Sequence, residues 1–419
     1  MAALIAVLGA LPSEVTLNNT DFRDRRFRAI RSGGFVLRGM TNQDLAALRK
    51  SLDDIDAVLV SALGERARLA RQIAKVKADG DGPVRDADRE TALLQHRSAF
   101  GERLGLDPAF VRRIFREILD DSVRRQQDAL QTRDADGSQE IVVAFQGTEG
   151  AYGHQAALQH FAVAQRPVGF KAYGTFKEML EAVIEGHADR AMLPIENTTA
   201  GSVYESYDLL LRFNLALVGE EIVDVRHCLL GVADVPIESL RRIHSHPQAL
   251  SQCSEFLSTL RDCEGVSAAN TALAAKHVRD LNNPAEAAIA SEEAGAHFGL
   301  HVLKRDIANQ AVNFTRFVVV SATPSDCDPR IAAKVSMVLS TRHEHGALVR
   351  CLNVIADEGL NVTKLESRPR PGTPWEYVFY IDAEGHIGSP RMQAALAGLA
   401  ERTLFVKVLG CYPARELPR

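Results

Sequence analysis

Apolar residues step by threes and fours from Leu45 onward: Leu45, Leu48, Leu52, Ile55, Leu59 and Ala62, then Leu69, Ile73 and Val76. This is a sustained heptad stripe and predicts one long helix. Thr41 is placed to cap its start, and Gly80-Asp81-Gly82-Pro83 to stop it. At ~1.5 Å per residue such a helix runs roughly 50 Å, so it needs antiparallel partners. Residues 84–100 and 108–131 carry two further helical patterns, the second opened by Asp107-Pro108, an N-cap with proline at the first helical position. The period then changes. After the polar linker "TRDADGSQ" (132–139), short β-like runs alternate with helical stretches such as "TFKEMLEAVIEG" and "YESYDLLLRF". The runs are "IVVAF", "GFKAY", "AMLPIE", "LALVGEEIV", "AAIAS" and "FVVV". That alternation predicts a layered α/β module with ligands at loops past strand ends. From "AKVSMVLST" to "LFVKVLGCYP" the order is strand, helix, strand, strand, helix, strand, the ferredoxin-like split βαβ order.

The pattern divides the chain into an all-α module at 41–131, an α/β module at 140–322 and an α+β module at 331–412, consistent with the two to four domains that 419 residues suggest. Residues 1–40 show no clean periodicity, carry six arginines and no lysine, and read as a loosely ordered extension. Organised sequence begins at Thr41, which makes Met40 an alternative start. The opening "MAALIAVLGALPSEV" lacks the basic n-region of a secretory signal. No apolar run approaches the ~18 residues of a membrane span. A net charge of −5 is spread along the chain, with no basic face for nucleic acid or a membrane surface. The cysteines lie at 228, 253, 263, 327, 351 and 411, with no C-x-x-C pair. That argues against a structural zinc site or a disulfide framework and fits a reducing cytosol.

Arg66 interrupts the heptad stripe between Ala62 and Leu69. A guanidinium in a seam is costly unless an anion meets it. Lys77, 11 residues further on, falls on the same face, about 20° around at ~100° per residue. Asp86 and Glu90 share a face of the next helix, as do Ser122 and Gln126 of the third. On spacing alone, a coiled-coil module with a polar register-setter accounts for these residues equally well.

The module resembles the all-helical class of chorismate mutase. The matching residues are Arg49 in "LRKSLDDID", Arg66 in "LGERARLA", Lys77 in "KVK", "PVRDADRE" (83–90) and "DSVRRQQ" (121–127). The resemblance implies a cofactor-free pericyclic rearrangement of the dianion chorismate to prephenate. Fixed cations would hold the carboxylates, and donors would meet the ether oxygen that gains charge. It assigns Arg49, Arg66 and Arg89 to substrate anchoring, Lys77 and Gln126 to the ether oxygen, and Asp86, Glu90 and Ser122 to the substrate hydroxyl and site polarity. Arg49 and Arg66 are 17 residues apart, about 25 Å along one helix. They cannot reach one small molecule from one chain, so Arg49 is expected from a second protomer, as in the family's intertwined dimer.

In the α/β module, Gly147 and Gly150 of "QGTEGAYG" form a glycine turn suited to a phosphate or carboxylate, but the pattern is not G-x-G-x-x-G. The polar loops "PIENTTAG" (194–201), "SHPQALSQC" (245–253) and "NFTRF" (313–317) stand out. Each alone has an ordinary reading: Glu196-Asn197-Thr198 as a helix cap, Ser245-His246-Pro247 as a turn, Thr315 as a satisfied strand-edge hydroxyl, Cys253 as core. Together, in order, with "GTEGAYGHQAA", "HCLL" and "NQAVNFTRFVV", they resemble prephenate dehydratase. That family's fold is two α/β lobes around a cleft, similar to type II periplasmic binding proteins. Its reaction removes water and carbon dioxide from prephenate to give phenylpyruvate. The resemblance places Thr315 at the leaving hydroxyl, with Asn197, Ser245 and Gln252 lining the site. Arg316 either holds a substrate carboxylate or pairs with Glu196.

In the last module, "HEH" (343–345) offers two histidines without a third ligand, too little for a metal site. "GALV" (346–349) and "ESRP" (366–369) resemble an ACT domain, the amino-acid sensor of this family. The resemblance implies L-phenylalanine bound at a dimer interface by Gly346, Ala347, Leu348, Asn361, Glu366 and Ser367, with feedback inhibition. The expectation for the whole chain is a bifunctional, cytosolic, dimeric or larger enzyme of phenylalanine biosynthesis. It would act on chorismate and prephenate without cofactor or metal, binding neither nucleic acid nor membrane. The rivals are a dehydratase with a decayed mutase and a non-enzymatic sensor. The intact Arg66, Lys77 and Thr315 speak against both.

Overall fold

The computed structural model of the protein describes residues 42–78, 87–131, 140–164, 166–370, 373 and 376–415. It separates into two compact units, with the boundary in the sequence between Val76 and Lys77.

The first unit is carried by one continuous helix, Asn42–Ala78. Its apolar stripe faces outward: Leu45, Leu48, Leu52, Ile55 and Leu59 are all more than two-fifths exposed, with Leu52 at 60%.

In the second unit, helices Ala87–Arg103 and Pro108–Gln131 pack on each other. Asp107 Oδ1 accepts from Ala109 N–H at 2.9 Å, the predicted cap. Two α/β lobes follow. The first sheet contains β1 (Ile141–Gln146), β2 (Val168–Tyr173), β3 (Arg190–Asn197), β4 (Gly201–Ser202) and β5 (Ala216–Asp224). The chain then crosses into a second sheet of β6 (Cys228–Gly231), β7 (Arg242–Ser245), β8 (Glu264–Ser267), β9 (Glu286–Ala290) and β10 (His301–Lys304). It returns with β11 (Phe314–Ser321), which inserts between β3 and β5, antiparallel to both, giving the order β2-β1-β3-β11-β5. The second sheet runs β10-β6-β9-β7-β8. Two connections, 225–227 and 305–313, therefore join the lobes. Four of the second lobe's strands, β6, β7, β8 and β10, have no counterpart among the predicted β-runs. Each spans only four residues, too few for a period to register.

A third sheet holds β12 (Ala333–Thr341), β13 (Val362–Pro369), β14 (Tyr377–Glu384) and β15 (Thr403–Pro413). Helices Ala347–Asp357 and Pro390–Arg402 complete it. The antiparallel order β13-β14-β12-β15 is the ferredoxin-like arrangement the pattern predicts. This sheet shares one core with the first lobe, where Val338, Val378, Tyr380, Leu409 and Tyr412 join Leu193, Leu210, Leu217 and Val318. Gly410 makes the approach possible: a Cβ there would stand 1.9 Å from Leu217 O.

Candidate active site

Side chains alternate across a strand, and β11 uses that alternation to separate two networks. Thr315 lies opposite Asn197 in register, and Arg316 lies opposite Glu196.

On one face, Asn197 Nδ2 donates to Thr315 Oγ1 at 2.9 Å, to Asn313 Oδ1 at 2.7 Å and to Phe314 O at 3.1 Å. Its Oδ1 accepts from Thr199 N–H, Thr199 Oγ1 and Ala200 N–H at 2.7–3.0 Å. The amide is thus fixed in orientation and fixes the "ENTTA" loop in turn. Gln252 of helix Pro247–Gln252 reaches across from the second lobe. Its Nε2 donates to Thr199 Oγ1 at 2.5 Å, and its Oε1 accepts from Asn313 Nδ2 at 3.3 Å. His227, in a connection between the lobes, continues the chain: Nε2–H donates to Gln252 Oε1 at 2.9 Å. Tyr152 OH lies 3.2 Å from Nδ1 and 2.9 Å from Arg226 O. Burial pushes the His227 imidazole below its ordinary value, partly offset by the Gln252 bond. The neutral Nε2–H form fits the Gln252 carbonyl, while Tyr152 OH donates its proton to Arg226 O. Every group in this cluster is uncharged. Among the described residues, Thr315 Oγ1 accepts the Asn197 bond and donates none, so its proton is available to a ligand.

Ser245 is fully buried at the end of β7 and donates its hydroxyl to Ile289 O at 2.6 Å. No hydrogen bond among the described residues joins it to Asn197, Gln252 or Thr315.

On the other face, Arg316 is enclosed. Nε donates to Glu220 at 2.7 Å, Nη1 to Asp382 at 2.6 Å and to Glu196 at 3.0 Å, and Nη2 to Tyr412 OH at 3.0 Å. This resolves the two readings of Arg316 in favour of the Glu196 pair and adds two carboxylates and a phenol. Lys334 caps Glu220 at 2.8 Å, and Lys364 of β13 meets Glu196 at 2.5 Å. Burial pushes the Glu196 carboxyl up, but Lys364 and Arg316 outweigh it and hold it below its ordinary value. Beside them, Ser202 Oγ donates to Glu366 Oε2 at 2.5 Å. The ferredoxin-like sheet therefore contacts the "PIENTTAGS" loop directly.

Gly147 and Gly150 have φ of +108° and +83°, and their turn sits against Asn270 and Ala294 of the second lobe. A Cβ at Gly150 would stand 3.0 Å from Ala294 Cα, and one at Gly147 3.3 Å from Asn270. A cavity of about 310 Å³ also opens between the lobes, beside Tyr152, Asp224, Arg226, Glu292, Arg305 and Asp306. Its carboxylates suit no dianion, and Thr315, Asn197 and Gln252 do not line it.

Of the helical-module residues, Arg49 and Arg66 lie on the one continuous helix, Arg49 exposed and Arg66 half-buried. The side chain of Lys77, and Asp86 altogether, fall outside the described residues. Arg89 is exposed and Glu90 half-buried on helix Ala87–Arg103. Ser122 and Gln126 do share a face: Ser122 Oγ donates to Ile118 O, and Gln126 Nε2 to Ser122 O. In the last module, Gly346 takes φ +71° at the start of helix Ala347–Asp357, with Ala347 buried and Leu348 half-buried. Asn361 Nδ2 donates to Glu384 at 3.0 Å, and Ser367 is exposed on β13, an edge strand. Among the described residues, no hydrogen bond joins the 346–348 group to Asn361, Glu366 or Ser367.

The profile for chorismate mutase type II matches residues 48–127, and that for prephenate dehydratase matches residues 143–325. The chain is 37% identical over 380 residues to the bifunctional chorismate mutase/prephenate dehydratase of Escherichia coli K12, covering 90% of this chain and 98% of that one. A solved structure described as GqqA, a novel type of quorum quenching acylases, is 34% identical, with TM-score 0.60 over 66% of this chain and all of its own. Prephenate dehydratase from Arthrobacter aurescens, solved with L-Phe, is 31% identical, with TM-score 0.58 over 65% of this chain and 90% of its own. The fold and the two matches define a two-activity enzyme, with a helical mutase part and a two-lobed dehydratase part. The chain belongs to the bifunctional chorismate mutase/prephenate dehydratase family.

Sequence reasoning left His227, Tyr152, Thr199 and Asn313 unassigned, although all four sit inside the motifs it singled out. Glu220, Lys334, Asp382 and Tyr412 gave no signal, because only the tertiary fold brings them to Arg316.

Proposed function

We propose that the chain serves phenylalanine biosynthesis, converting chorismate through prephenate to phenylpyruvate in the cytoplasm, under feedback inhibition by L-phenylalanine. The observation that carries the dehydratase reading is Thr315 held by Asn197 with its own proton undirected. In the reaction, the bond between ring and carboxylate breaks, its electron pair enters the ring, and the ring hydroxyl departs with its C–O bonding pair, taking a proton from solvent to become water, as carbon dioxide leaves. Aromatisation drives this, so the protein need only stabilise the departing oxygen. Thr315 donates a hydrogen bond there, since an unactivated threonine is too weak an acid to give up a full proton. Asn197 and Gln252 hold the site's shape, and Ser245 supports the end of β7 through its bond to Ile289 O. An acyl-transfer reading has less support: burial pushes the Cys253 thiol up to about 12, and Ser245 spends its proton on Ile289.

In the mutase, Arg66, Arg89 and a second protomer's Arg49 anchor the carboxylates. Lys77 and Gln126 meet the ether oxygen, while Asp86, Glu90 and Ser122 handle the hydroxyl. The exposed stripe of helix Asn42–Ala78 supports a homodimer or larger assembly, since burying it requires another surface. The functional modules span 41–131, 140–322 and 331–412, the last an ACT domain. It binds L-phenylalanine through Gly346, Ala347, Leu348, Asn361, Glu366 and Ser367, as the L-Phe complex of the Arthrobacter relative suggests. Neither activity uses a cofactor. The test is conversion of chorismate to phenylpyruvate with and without L-phenylalanine. Prephenate accumulating without phenylpyruvate overturns the dehydratase assignment. Equal rates in both arms overturn feedback.

A further inference from the structure

Three residues remote in sequence converge in the ferredoxin-like module. Cys327 precedes β12, His386 lies in the turn after β14, and Cys411 is in β15. One ligand atom from each lies within 4.8 Å of the others. We propose that Cys327, His386 and Cys411 form a three-ligand site for a thiophilic divalent cation of the zinc class.

Donor chemistry and surroundings both fit. Cys327 and Cys411 belong to one buried core cluster, with Ile387 packed against it, so both sulfurs sit in a low-dielectric wall. Two buried cysteines alone would be small core residues. The histidine and the backbone make this pair different. His386 Nε2–H donates to Cys327 O at 2.7 Å, which fixes the ring and its tautomer and leaves the lone pair on Nδ1. A ring N–H on a backbone carbonyl is the usual outer-shell support of a metal-bound imidazole. Nδ1 at present accepts from Gly388 N–H at 3.0 Å. Gly388 is exposed, so water can take over that amide when the metal takes the lone pair. Ile387 N–H points at Cys411 Sγ at 3.5 Å, as an amide does toward a thiolate ligand.

Tetrahedral zinc bonds of ~2.3 Å to sulfur and ~2.0 Å to nitrogen place ligand atoms roughly 3.5–3.8 Å apart, so atoms already within 4.8 Å of one another need to close by at most about an ångström. Three protein ligands leave a fourth position for water or a small anion. The cation would tie the segment leading into this sheet to its last strand, and so add to folding stability. No cysteine spacing announces such a site, because its ligands lie on three separate elements.

The test uses the full-length protein, reduced and stripped with a chelator, then titrated with Zn²⁺ against a chromophoric competitor and separately with Co²⁺. The expected result is about one Zn²⁺ per chain, and Co²⁺ spectra with thiolate charge-transfer and strong tetrahedral d–d bands. Zn²⁺ should raise the thermal midpoint of the wild type and not of Cys411→Ser. His386→Asn, in a half-exposed turn, guards against a misfolded cysteine variant and should weaken Zn²⁺ by about 10-fold or more. Absence of stoichiometric Zn²⁺, equal binding in Cys327→Ser and His386→Asn, or thiols that oxidise to a disulfide and bind no cation would each overturn the site.

Discussion

Thr315 and Arg316 are consecutive residues of β11, yet they face opposite sides of the sheet and serve different neighbours. Thr315 Oγ1 lies 2.9 Å from Asn197 Nδ2, whereas Arg316 Nη1 lies 2.6 Å from Asp382 Oδ2 in the ferredoxin-like sheet. Any displacement of that sheet that moves Arg316 pulls on the backbone that carries Thr315.

Thr315→Val keeps the branched shape and removes the hydroxyl. Dehydratase kcat should fall by about 10²–10³-fold, the cost of losing one directed donor. Mutase turnover should stay at the wild-type level, because that chemistry belongs to the helical module. Separate assays on chorismate and prephenate read the two effects.

Arg316→Met leaves the buried Glu220 and Asp382 and the half-buried Glu196 without their shared cation. Such breakage costs about 3–5 kcal/mol. Denaturant unfolding should register a loss of that order, and activity should fall with it.

Ser202→Ala removes one bond to Glu366 and leaves that carboxylate itself in place. L-phenylalanine binding measured by calorimetry should persist, while inhibition weakens about 5-fold or more, a typical coupling free energy. By contrast, Glu366→Ala with Ser367→Ala should relieve inhibition by weakening binding itself. Unchanged inhibition in that double variant would refute the effector assignment.

Gly410→Ala drives a methyl into Leu217 O. The two sheets must separate, at a cost of about 1–3 kcal/mol or more, and a lowered thermal midpoint should report it.

His227 titrates below its ordinary value of 6.5 in the folded protein, because burial disfavours the cation. The stability it contributes is therefore present above 6.5 and lost as pH falls through its lower folded value. As pH falls below about 6.5 the wild type should lose stability, at most ~1.4 kcal/mol per pH unit from one group. His227→Asn should flatten part of that slope in thermal melts.

The long helix was readable because nine apolar positions hold one period over many turns, and the larger strands because β-branched runs bounded by turn residues are dense there. The four-residue strands of the second lobe were not, since so short a segment carries no period. Within the cleft, Asn197, Gln252 and Thr315 were legible as polar exceptions to an apolar pattern, and the fold brings them together. Ser245 was legible in the same way, but its hydroxyl faces Ile289 O. Apart from Glu196, the partners of Arg316 were invisible because Glu220, Asp382 and Tyr412 lie on other strands 66 to 96 residues away. A charged residue in a strand signals only that some partner exists, not which.

The interleaving of β11 bears on how the chain is made. β5 has β11 as its partner in the first sheet, yet the whole of residues 225–313 must leave the ribosome before β11 appears. At ~5–20 residues per second that wait is on the order of ten seconds. Throughout it, the apolar edge of β5 stands open to any other strand in reach. The second lobe, by contrast, has all its strands in hand by Lys304. It can close first, and the nascent protein's most vulnerable surface is the older half of the molecule.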